Sequence, residues 1–394
     1  MTLLAHLGVW AGLILLAYTF AGYPLLLWLL SKVRPKPVSP QEWTPTLSVC
    51  IAAHNPGAQL ERKIAMLRAL DYPQEKLQIV VASDGSTDGS AERLHALQDD
   101  RLRVLIHKER RGKSTCLRDA IQAATGELLV FNDIRQRVSS DALRRLANAL
   151  ASGELRAVSG LLRFTVGDPE LASAPESVST DAYWRYESAL RQMESQTGSV
   201  VGVSGALYAV RREHMPLPPA GIVLDDLWVP LQIAAQGGRI GLERAAVVWD
   251  QPSPPAVESV RKRRTLAGNW QLLAVWPGLL LPWRNRLWWR YVSHKLLRLL
   301  TPWMLLSVGL GSAFLALDNS FYGVLVMLQL LAYAGALAGM AMPRLRQWFP
   351  IRILSAFLDM NYYALLGTID YLRRRDAHLW QITANGPAAS VPMR

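Results

Sequence analysis

The chain has 394 residues, of which 51% are hydrophobic and 19% charged, and its formal net charge is +12. The basic charge does not indicate nucleic-acid binding, because the lysines and arginines flank apolar stretches and the soluble part shows no aromatic–basic interleaving. The apolar residues concentrate in the first thirty and the last hundred and thirty positions, so an ordinary soluble protein is excluded and a soluble domain carried by membrane segments is predicted.

The first apolar stretch occupies residues 3–30 and contains no charged residue. It exceeds the roughly 20 residues that span hydrocarbon and is too long for the apolar core of a signal peptide. Lys32, Arg34 and Lys36 follow it. The positive-inside rule therefore predicts a membrane helix whose C-terminal end faces the cytoplasm.

Between residues 45 and 165, apolar runs of strand length alternate with helix-like segments. The runs read LSVCIAA, LQIVVAS, RVLIHK and ELLVF, and near-continuous apolar strands of this kind predict a parallel sheet with helices on both faces. Cys50 and Cys116 fall in these segments without metal-ligand or redox spacing, so we expect both to be reduced core residues.

Polar residues follow three of these runs, where the predicted strands end. They are His54 and Asn55 after the first run, Asp84 after the second, and the stretch 132–135, which contains Asp133 and Arg135, after the last. Ligands of parallel sheets bind beyond the carboxyl ends of the strands. Three polar strand ends therefore predict a binding site at one edge of the sheet.

Two further membrane helices are predicted in the C-terminal part, at residues 299–317 and 321–342. The connection DNS between them carries no basic residue, as expected of an external turn. Residues 352–371 contain two aspartates and an asparagine, and YLRRR begins at the last residue of this range. This composition favours an interfacial or re-entrant helix with a cytoplasmic tail over a fourth span, which stays the alternative.

Six stretches of the chain carry a resemblance to a known family. They read SVCIAAHN, VVASDGSTDGS, RRGKSTCLRDAIQAATGELLVFND, GVSGALYAVRRE, DDLWVPLQIAAQGGRI and RKRRTLAGNWQ. In this order they resemble the motifs of membrane-bound family 2 glycosyltransferases, which include cellulose, chitin and hyaluronan synthases and bacterial exopolysaccharide and glycolipid glycosyltransferases. The resemblance covers residues 45–275. It implies an α/β GT-A fold, Rossmann-like, that binds a nucleotide-sugar donor, expected to be UDP-linked, and transfers the sugar with inversion.

The resemblance and the apolar segments together predict a cytosolic GT-A domain with α-helical transmembrane and interfacial helices around it. The predicted parts are an N-terminal transmembrane helix at 1–32, the GT-A domain at 40–255, an amphipathic or interfacial segment at 256–290, two transmembrane helices at 291–342, an interfacial or fourth membrane helix at 343–372 and a cytosolic tail at 373–394. This organisation predicts a multi-pass protein of the plasma (bacterial inner) membrane with a cytoplasmic catalytic domain.

The sequence LDD at 224–226 is similar to the acidic pair of the family, whose second member is the base. Asp226 is therefore the candidate catalytic base, with Asp225 as its neighbour, since a carboxylate in hydrogen-bond reach can take the acceptor's proton. The alternative is that two aspartates merely favour a helix N-terminus. The resemblance also implies the donor-binding residues. These are Ala53, His54 and Asn55 in the wall of the nucleotide pocket, Asp84 at the nucleobase, Asp133 at the ribose or a metal, and Lys113 at the donor.

One departure from the family concerns the metal. Where the family has Asp-x-Asp, this chain has Asp133-Ile134-Arg135, so the implied Mg²⁺ or Mn²⁺ on Asp133 would lose a ligand. In one interpretation the Arg135 guanidinium replaces part of the metal's charge by pairing with the diphosphate. In the other, the metal stays on Asp133 and Arg135 pairs with another carboxylate.

A second departure concerns the family's Gln-x-x-Arg-Trp motif, which here reads RKRRT at 261–265. Arg261 and Arg264 remain candidate diphosphate contacts, with an anionic-lipid or positive-inside cluster as the alternative. Thr265 replaces the tryptophan that holds the acceptor in processive synthases, which favours single transfer. Gly202 and Gly205 flank a strand and indicate either close approach to the sugar or acceptor, or a bulge.

The sequence thus predicts an inverting membrane glycosyltransferase that builds a cell-surface polysaccharide or glycolipid. The predicted partners are a nucleotide-sugar donor, a lipid-linked or oligosaccharide acceptor and the bilayer, with other membrane proteins of polysaccharide biosynthesis as further candidates. Two alternatives remain. One is a processive synthase that also secretes its product, and the other is a non-catalytic nucleotide-binding scaffold of an export complex.

Overall fold

The computed structural model describes residues 1–90, 93, 96, 99–165, 182–342 and 344–373. The strands are β1 Leu47–Ala53, β2 Leu77–Asp84, β3 Leu102–His107, β4 Leu128–Asn132, β5 Arg137–Val138, β6 Ala157–Phe164, β7 Leu207–Arg211 and β8 Ile240–Asp250. The helices are α1 Thr2–Ala17, α2 Tyr23–Val33, α3 Gln59–Arg68, α4 Lys113–Ala123, α5 Ala142–Leu150, α6 Ala182–Gln196, α7 Asp225–Ala235, α8 Pro255–Val275, α9 Trp288–Tyr291, α10 Leu297–Leu315, α11 Ser320–Ala341 and α12 Phe349–Arg373. All but the first residue of the predicted cytosolic tail at 373–394 lies outside the described residues.

The strands form one sheet in the order β3-β2-β1-β4-β7-β6-β8-β5. β1 is parallel to β2 and β4, and β2 is parallel to β3, so these strands end at one edge. The predicted parallel α/β sheet is therefore confirmed. Beyond β4 the sheet is mixed, because β7 runs antiparallel to both β4 and β6.

Both faces of the central strands are covered, which explains their near-continuous apolar sequences. Alternate residues of β1 belong to different cores. Val49 and Ile51 pack with α3 and α5 in one cluster, whereas Cys50 packs with α4 and α7 in the other. Both cysteines are free and buried, as predicted.

Of the helices in the described part of the chain, three are long and apolar enough to cross a membrane. They are Thr2–Val33, Trp288–Leu315 and Ser320–Ala341. All three were predicted from the sequence, but the second begins at Trp288, well before the predicted start at residue 299. A π-helical turn, Val292–Leu296, joins α9 to α10, so the basic residues before position 299 belong to the same continuous helix.

The helix α12 covers the segment predicted to be interfacial and falls outside this apolar set. It packs against α8 through two ion pairs. Lys262 Nζ lies 3.0 Å from Asp359 Oδ2, and Arg263 Nη2 lies 2.7 Å from Asp370 Oδ1. The two aspartates that made this segment look unlike a span therefore attach it to α8, and its depth in a membrane stays a prediction.

Glycines allow α1 to lie directly on α10. A Cβ added at Gly12 would be 2.7 Å from Val308 Cγ2 and 3.2 Å from the Met304 carbonyl oxygen. A Cβ added at Gly311 would meet Val9 and the Ala5 carbonyl in the same way. Small residues serve this purpose in membrane helices, where close packing of backbones drives association.

We expect Gly12→Leu to separate α1 from α10 and to lower the free energy of unfolding by about 1–3 kcal/mol, the usual effect of overpacking. The thermal midpoint of the full-length protein in detergent measures this change. Gly323→Leu is the matched control, because a Cβ at Gly323 has only Ala316 Cβ near it, at 3.9 Å. Equal midpoints for the two variants would contradict close α1–α10 packing.

Candidate functional site

A cavity of about 2030 Å³ opens at the carboxyl edge of the sheet. It brings together most of the residues predicted from the sequence. These are Ala53, His54, Asn55, Lys113, Asp133, Arg135, Gly205, Asp225, Asp226, Arg261 and Arg264. Asp84 and Gly202 were predicted with them but do not line it.

The loop after β1 is fixed to the loop after β2. The Asn55 backbone has φ 45°, in the left-handed region that asparagine tolerates. Its amide donates to Ser86 Oγ at 3.1 Å, and its side-chain oxygen accepts from the Thr87 amide at 2.7 Å. Asp88 accepts from the Gly57 amide at 2.6 Å. The polar residues of the second loop thus hold the first loop, which forms one wall of the cavity.

Asp84 is fully buried. Its carboxylate accepts hydrogen bonds from the backbone amides of Arg111, at 2.6 Å, and Gly112, at 2.9 Å. These residues directly precede Lys113, the first residue of α4. In this structure Asp84 therefore positions Lys113, and its predicted contact with a nucleobase stays a prediction.

Lys113 lies among the carboxylates of the site. Its Nζ is 2.7 Å from Asp133 Oδ1. Burial acts to lower the pKa of Lys113, but the charges of Asp133, Asp225 and Asp226 outweigh this effect and hold that pKa above its usual value. Lys113 is consequently a permanent cation that offsets three neighbouring acids.

The acidic pair begins α7, and Asp225 is buried. Burial raises the pKa of both carboxyls, and for Asp226 the neighbouring Asp225 adds to the effect, raising the pKa to about 6. An aspartate with a pKa near neutrality is a better proton acceptor than an ordinary one and is still ionised at pH 7. The assignment of Asp226 as the base, rather than as part of a helix N-terminus alone, stays a prediction.

Of the two predicted glycines, Gly205 makes room for the Asp226 side chain, whereas Gly202 is in ordinary contact distance of the Asp226 backbone. A Cβ added at Gly205 would lie 3.3 Å from Asp226 Oδ2, and one added at Gly202 would lie 3.6 Å from the Asp226 backbone oxygen. Their predicted contact with an acceptor is untested. The choice between close approach to a ligand and a bulge also stays open, and the geometry shows that Gly205 lies beside the candidate base.

Arg135 pairs with a buried carboxylate. Its Nη2 lies 2.6 Å from Oδ2 of Asp250, whose side chain is 3% exposed. Gln136 donates to the same oxygen at 3.1 Å. This arrangement matches the second interpretation of Arg135. Asp250 was missed, although it ends the apolar run of β8 as Asp84 ends that of β2, because the strand-end rule was applied only up to residue 165.

The four basic residues at the start of the RKRRT stretch point in different directions. Arg261 pairs with Glu258 at 2.9 Å within α8, and the next two residues pair with α12 as described above. Arg264 faces the acids. Burial lowers the pKa of its guanidinium, and the charges of Asp225 and Asp226 oppose that shift. Arg264 is thus the member of this group best placed to meet a diphosphate.

Lys63 is a buried lysine that sequence reasoning missed. It contacts the Asn132 side chain and donates to the Gln136 carbonyl at 2.7 Å. Burial lowers its pKa to about 7, against the opposing charge of Asp133. The sequence did contain a sign of this burial, because Lys63 lies on the same helical face as the apolar residues Leu60 and Leu67. Lys63 fixes both ends of the segment that carries Asp133 and Arg135.

The same cavity reaches the apolar helices. Its walls there include Phe20, Leu299 and Phe357, with Arg191 and Lys295 nearer to the acidic pair. The last two residues were also missed, because α6 and the Trp288–Leu315 helix look unrelated in sequence. One continuous space therefore connects the strand ends with the candidate membrane segments.

Comparisons with known proteins show what the chain is similar to. Residues 48–215 match the model of Glycosyl transferase family 2. Among curated proteins, the chain is 22% identical over 235 residues to the poly-beta-1,6-N-acetyl-D-glucosamine synthase of Staphylococcus aureus, covering 58% of this chain and 53% of the synthase. It is 26% identical over 123 residues to glycosyltransferase AglE of Haloferax volcanii, covering 31% of this chain and 40% of that protein. These alignments span about half, or less, of the relatives' lengths.

Among solved structures, the mannosyltransferase PcManGT from Pyrobaculum calidifontis, in complex with GDP-Man and Mn²⁺, aligns with a TM-score of 0.65 and 24% identity. The alignment covers 92% of this chain and 98% of that one. The likeness confirms the predicted GT-A fold with its accompanying helices. The match over residues 48–215 includes Asp133, and it shows that this part of the chain is similar to glycosyl transferase family 2.

Proposed function

We propose that this protein is a membrane-bound glycosyltransferase that transfers a sugar, with inversion, from a nucleotide-sugar donor to a lipid-linked or growing polysaccharide acceptor. The observation that carries the proposal is the single cavity that joins Asp226 and Lys113 to the apolar helices. A donor from the cytosol and an acceptor from the membrane would meet there. The proposed site is the plasma membrane, with the catalytic domain in the cytoplasm.

In the proposed reaction, Asp226 accepts the proton of an acceptor hydroxyl. The hydroxyl oxygen forms a bond to the anomeric carbon as the bond from that carbon to the diphosphate breaks, so the configuration inverts. The departing nucleoside diphosphate carries the negative charge away from the sugar. Lys113 and Arg264 supply the positive charge that stabilises it, and Arg261 is a further candidate contact.

The described residues fit a metal poorly. No three His, Cys, Asp or Glu side chains of the described chain are grouped to hold an ion. Asp133 is ion-paired with Lys113, and Arg135 stands where a second carboxylate would be. Mg²⁺ or Mn²⁺ on Asp133 stays part of the proposal only as added charge on the diphosphate, and no step of the mechanism depends on it.

For the donor and the product, the proposal names only a chemical class, a nucleotide sugar and a polysaccharide or glycolipid. The family resemblance favours a UDP-linked sugar, whereas the mannosyltransferase of similar fold was solved with GDP-Man, so both bases belong in a test. Single transfer in polysaccharide or glycolipid synthesis is favoured over processive synthesis, because Thr265 stands in place of the acceptor-holding tryptophan. The name of the staphylococcal relative is the observation that keeps a polysaccharide synthase as the second candidate.

The first prediction concerns the base. Asp226→Asn should lower the turnover of the full-length reconstituted protein by about 10²–10⁴-fold, the usual contribution of general base catalysis. The measurement is release of nucleoside diphosphate from a panel of UDP- and GDP-sugars with membrane-extract lipid as acceptor. Asp141→Asn is the control, since Asp141 pairs with Arg145 at an exposed site on α5.

Turnover that persists in Asp226→Asn would contradict this assignment of the base. If wild-type protein binds nucleotides but releases diphosphate from none of the donors in the presence of acceptor lipid, the nucleotide-binding scaffold replaces the enzyme as the interpretation.

The second prediction concerns pH. Asp226 acts in its ionised form, so kcat/KM should rise about tenfold per pH unit below the pKa and level off above it, with the bend near the value of about 6. Because the charge of Asp225 raises this pKa, Asp225→Asn should move the bend to lower pH. A profile that is flat from pH 5 to 7, or a bend that moves upward in the variant, would contradict this account.

The third prediction concerns Arg135. If Arg135 serves Asp250, Arg135→Ala should leave a buried carboxylate without its charged partner and lower stability by about 1–3 kcal/mol, and the double variant Arg135→Ala/Asp250→Asn should recover part of that loss. Thermal midpoints of the three proteins measure this. Turnover in Mg²⁺, Mn²⁺ and chelator should respond alike in wild type and Arg135→Ala. A metal requirement gained only by the variant would instead indicate that Arg135 replaces the metal's charge at the diphosphate.

A further inference from the structure

A cluster of cationic side chains surrounds one carboxylate beside the cavity. Arg298 Nη1 lies 2.8 Å from Glu187 Oε2, and His294 Nε2 lies 3.0 Å from Oε1. Arg191 Nε and Lys295 Nζ lie 3.5 and 3.6 Å from Oε1. All five residues line the cavity. We call them the α6–α10 cationic cluster.

The cluster holds more positive than negative charge. The second carboxylate nearby, Glu194, accepts from the Tyr23 hydroxyl at 2.7 Å and lies 2.8 Å from His294 Nδ1. Even if His294 is neutral, the two arginines and the lysine give three positive charges against these two carboxylates, and the remaining positive charge faces Asp226, the candidate base. Positive charge beside a cavity attracts an anion. The anion binds there when its oxygens form better hydrogen bonds with the cations than water does.

The cluster also lies between two different environments. Lys295 and Arg298 belong to the candidate span Trp288–Leu315, close to its N-terminal end, which the sequence places on the cytosolic side. One turn further along that helix, Leu299 lines the cavity. Phe20 and Phe357 line it too, and their ring centroids are 5.2 Å apart. The apolar side of the cavity therefore begins where the cationic side ends.

The other neighbour of the cluster is the candidate base. The charges of Arg191 and Lys295 both act to lower the pKa of Asp226, against the larger effects of burial and Asp225. They are thus close enough to Asp226 to influence it electrostatically. One ligand could contact the apolar walls, the cationic cluster and Asp226 at the same time.

We infer, on the basis of the proposed function, that the α6–α10 cationic cluster binds the phosphate of a lipid-linked acceptor. Guanidinium groups suit phosphate oxygens because their donors form two parallel hydrogen bonds. The lipid chain lies against Phe20 and Phe357, and the reacting hydroxyl lies at Asp226. Glu187 remains between the cations, keeps them in place and is the one group of the cluster that opposes the anion.

The test measures lipid binding without any donor. Full-length protein in phosphatidylcholine nanodiscs is titrated with a radiolabelled polyprenyl monophosphate as the probe. Arg191→Gln and Lys295→Gln should each weaken binding about tenfold, the value of one charge-assisted hydrogen bond, whereas Lys295→Arg should retain it. Arg144→Gln is the matched control, since it removes one positive charge from an exposed ion pair with Asp71 on the outer surface of the domain.

Competition identifies the source of the phosphate. The inference expects that unlabelled polyprenyl monophosphate displaces the probe, and that phosphatidylglycerol at equal mole fraction and inorganic phosphate at millimolar concentration do not. Displacement by phosphatidylglycerol would show a general headgroup site and overturn an acceptor subsite. Displacement by inorganic phosphate alone would show that the lipid chain contributes nothing, with the same consequence.

A second measurement uses the wild-type protein, so its result does not depend on whether the variants fold. A photoactivatable polyprenyl monophosphate bound to the wild-type protein should cross-link to α6 or to residues 288–301, as located by peptide mass mapping. Cross-links confined to other helices would overturn the inference. Nucleotide-sugar turnover is assayed separately. If the protein binds the lipid but shows no turnover, the proposed function is rejected and the lipid-phosphate site stands. If it shows turnover but both glutamine variants bind the lipid as the wild type does, the proposed function stands and the lipid-phosphate site is rejected.

Discussion

The site depends on the ion pair between Lys113 and Asp133. Three carboxylates converge at the carboxyl edge of the sheet, and a donor diphosphate would add further negative charge, so a permanent cation must lie among them. Lys113 lies there because it is the first residue of α4 and because the buried carboxylate of Asp84 holds the two backbone amides that precede it. Without that anchor the lysine could turn to solvent, and Asp225 and Asp226 would lose the charge that limits the rise of their pKa values.

A second set of ion pairs connects this site to the apolar helices. Lys262 and Arg263 hold α8 against α12, and this contact fixes the orientation of the helix that presents Arg264 to the acids. A helix with four consecutive basic residues would otherwise repel itself and turn toward solvent or lipid headgroups. The aspartates of α12 therefore serve the proposed donor site indirectly, since they determine which member of the basic run faces the cavity.

Local patterns were enough to predict the sheet and the three polar strand ends, because strand burial is a property of short segments, whereas the acidic pair was predicted from the family resemblance. They were not enough to predict the partners of long side chains. Asp250, the partner of Arg135, lies 115 residues away in sequence, and the buried Lys63 has its partners at Asn132 and Gln136, about 70 residues away. The strand-end rule considers each strand together with its neighbours in sequence. It therefore did not predict that β7 lies antiparallel between β4 and β6.

The shared cavity has a chemical consequence for the candidate base. Burial and Asp225 raise the pKa of Asp226, while Lys113, Arg191 and Lys295 lower it. A phosphate bound between Arg191 and Lys295 would neutralise the positive charge that they direct at Asp226, and the pKa of Asp226 would rise further. A higher pKa makes the carboxylate a stronger base. If the inferred phosphate binding holds, the ionised carboxylate of Asp226 would be a stronger base with the acceptor in place than in an acceptor-free cavity that water enters, which favours transfer over hydrolysis of the donor.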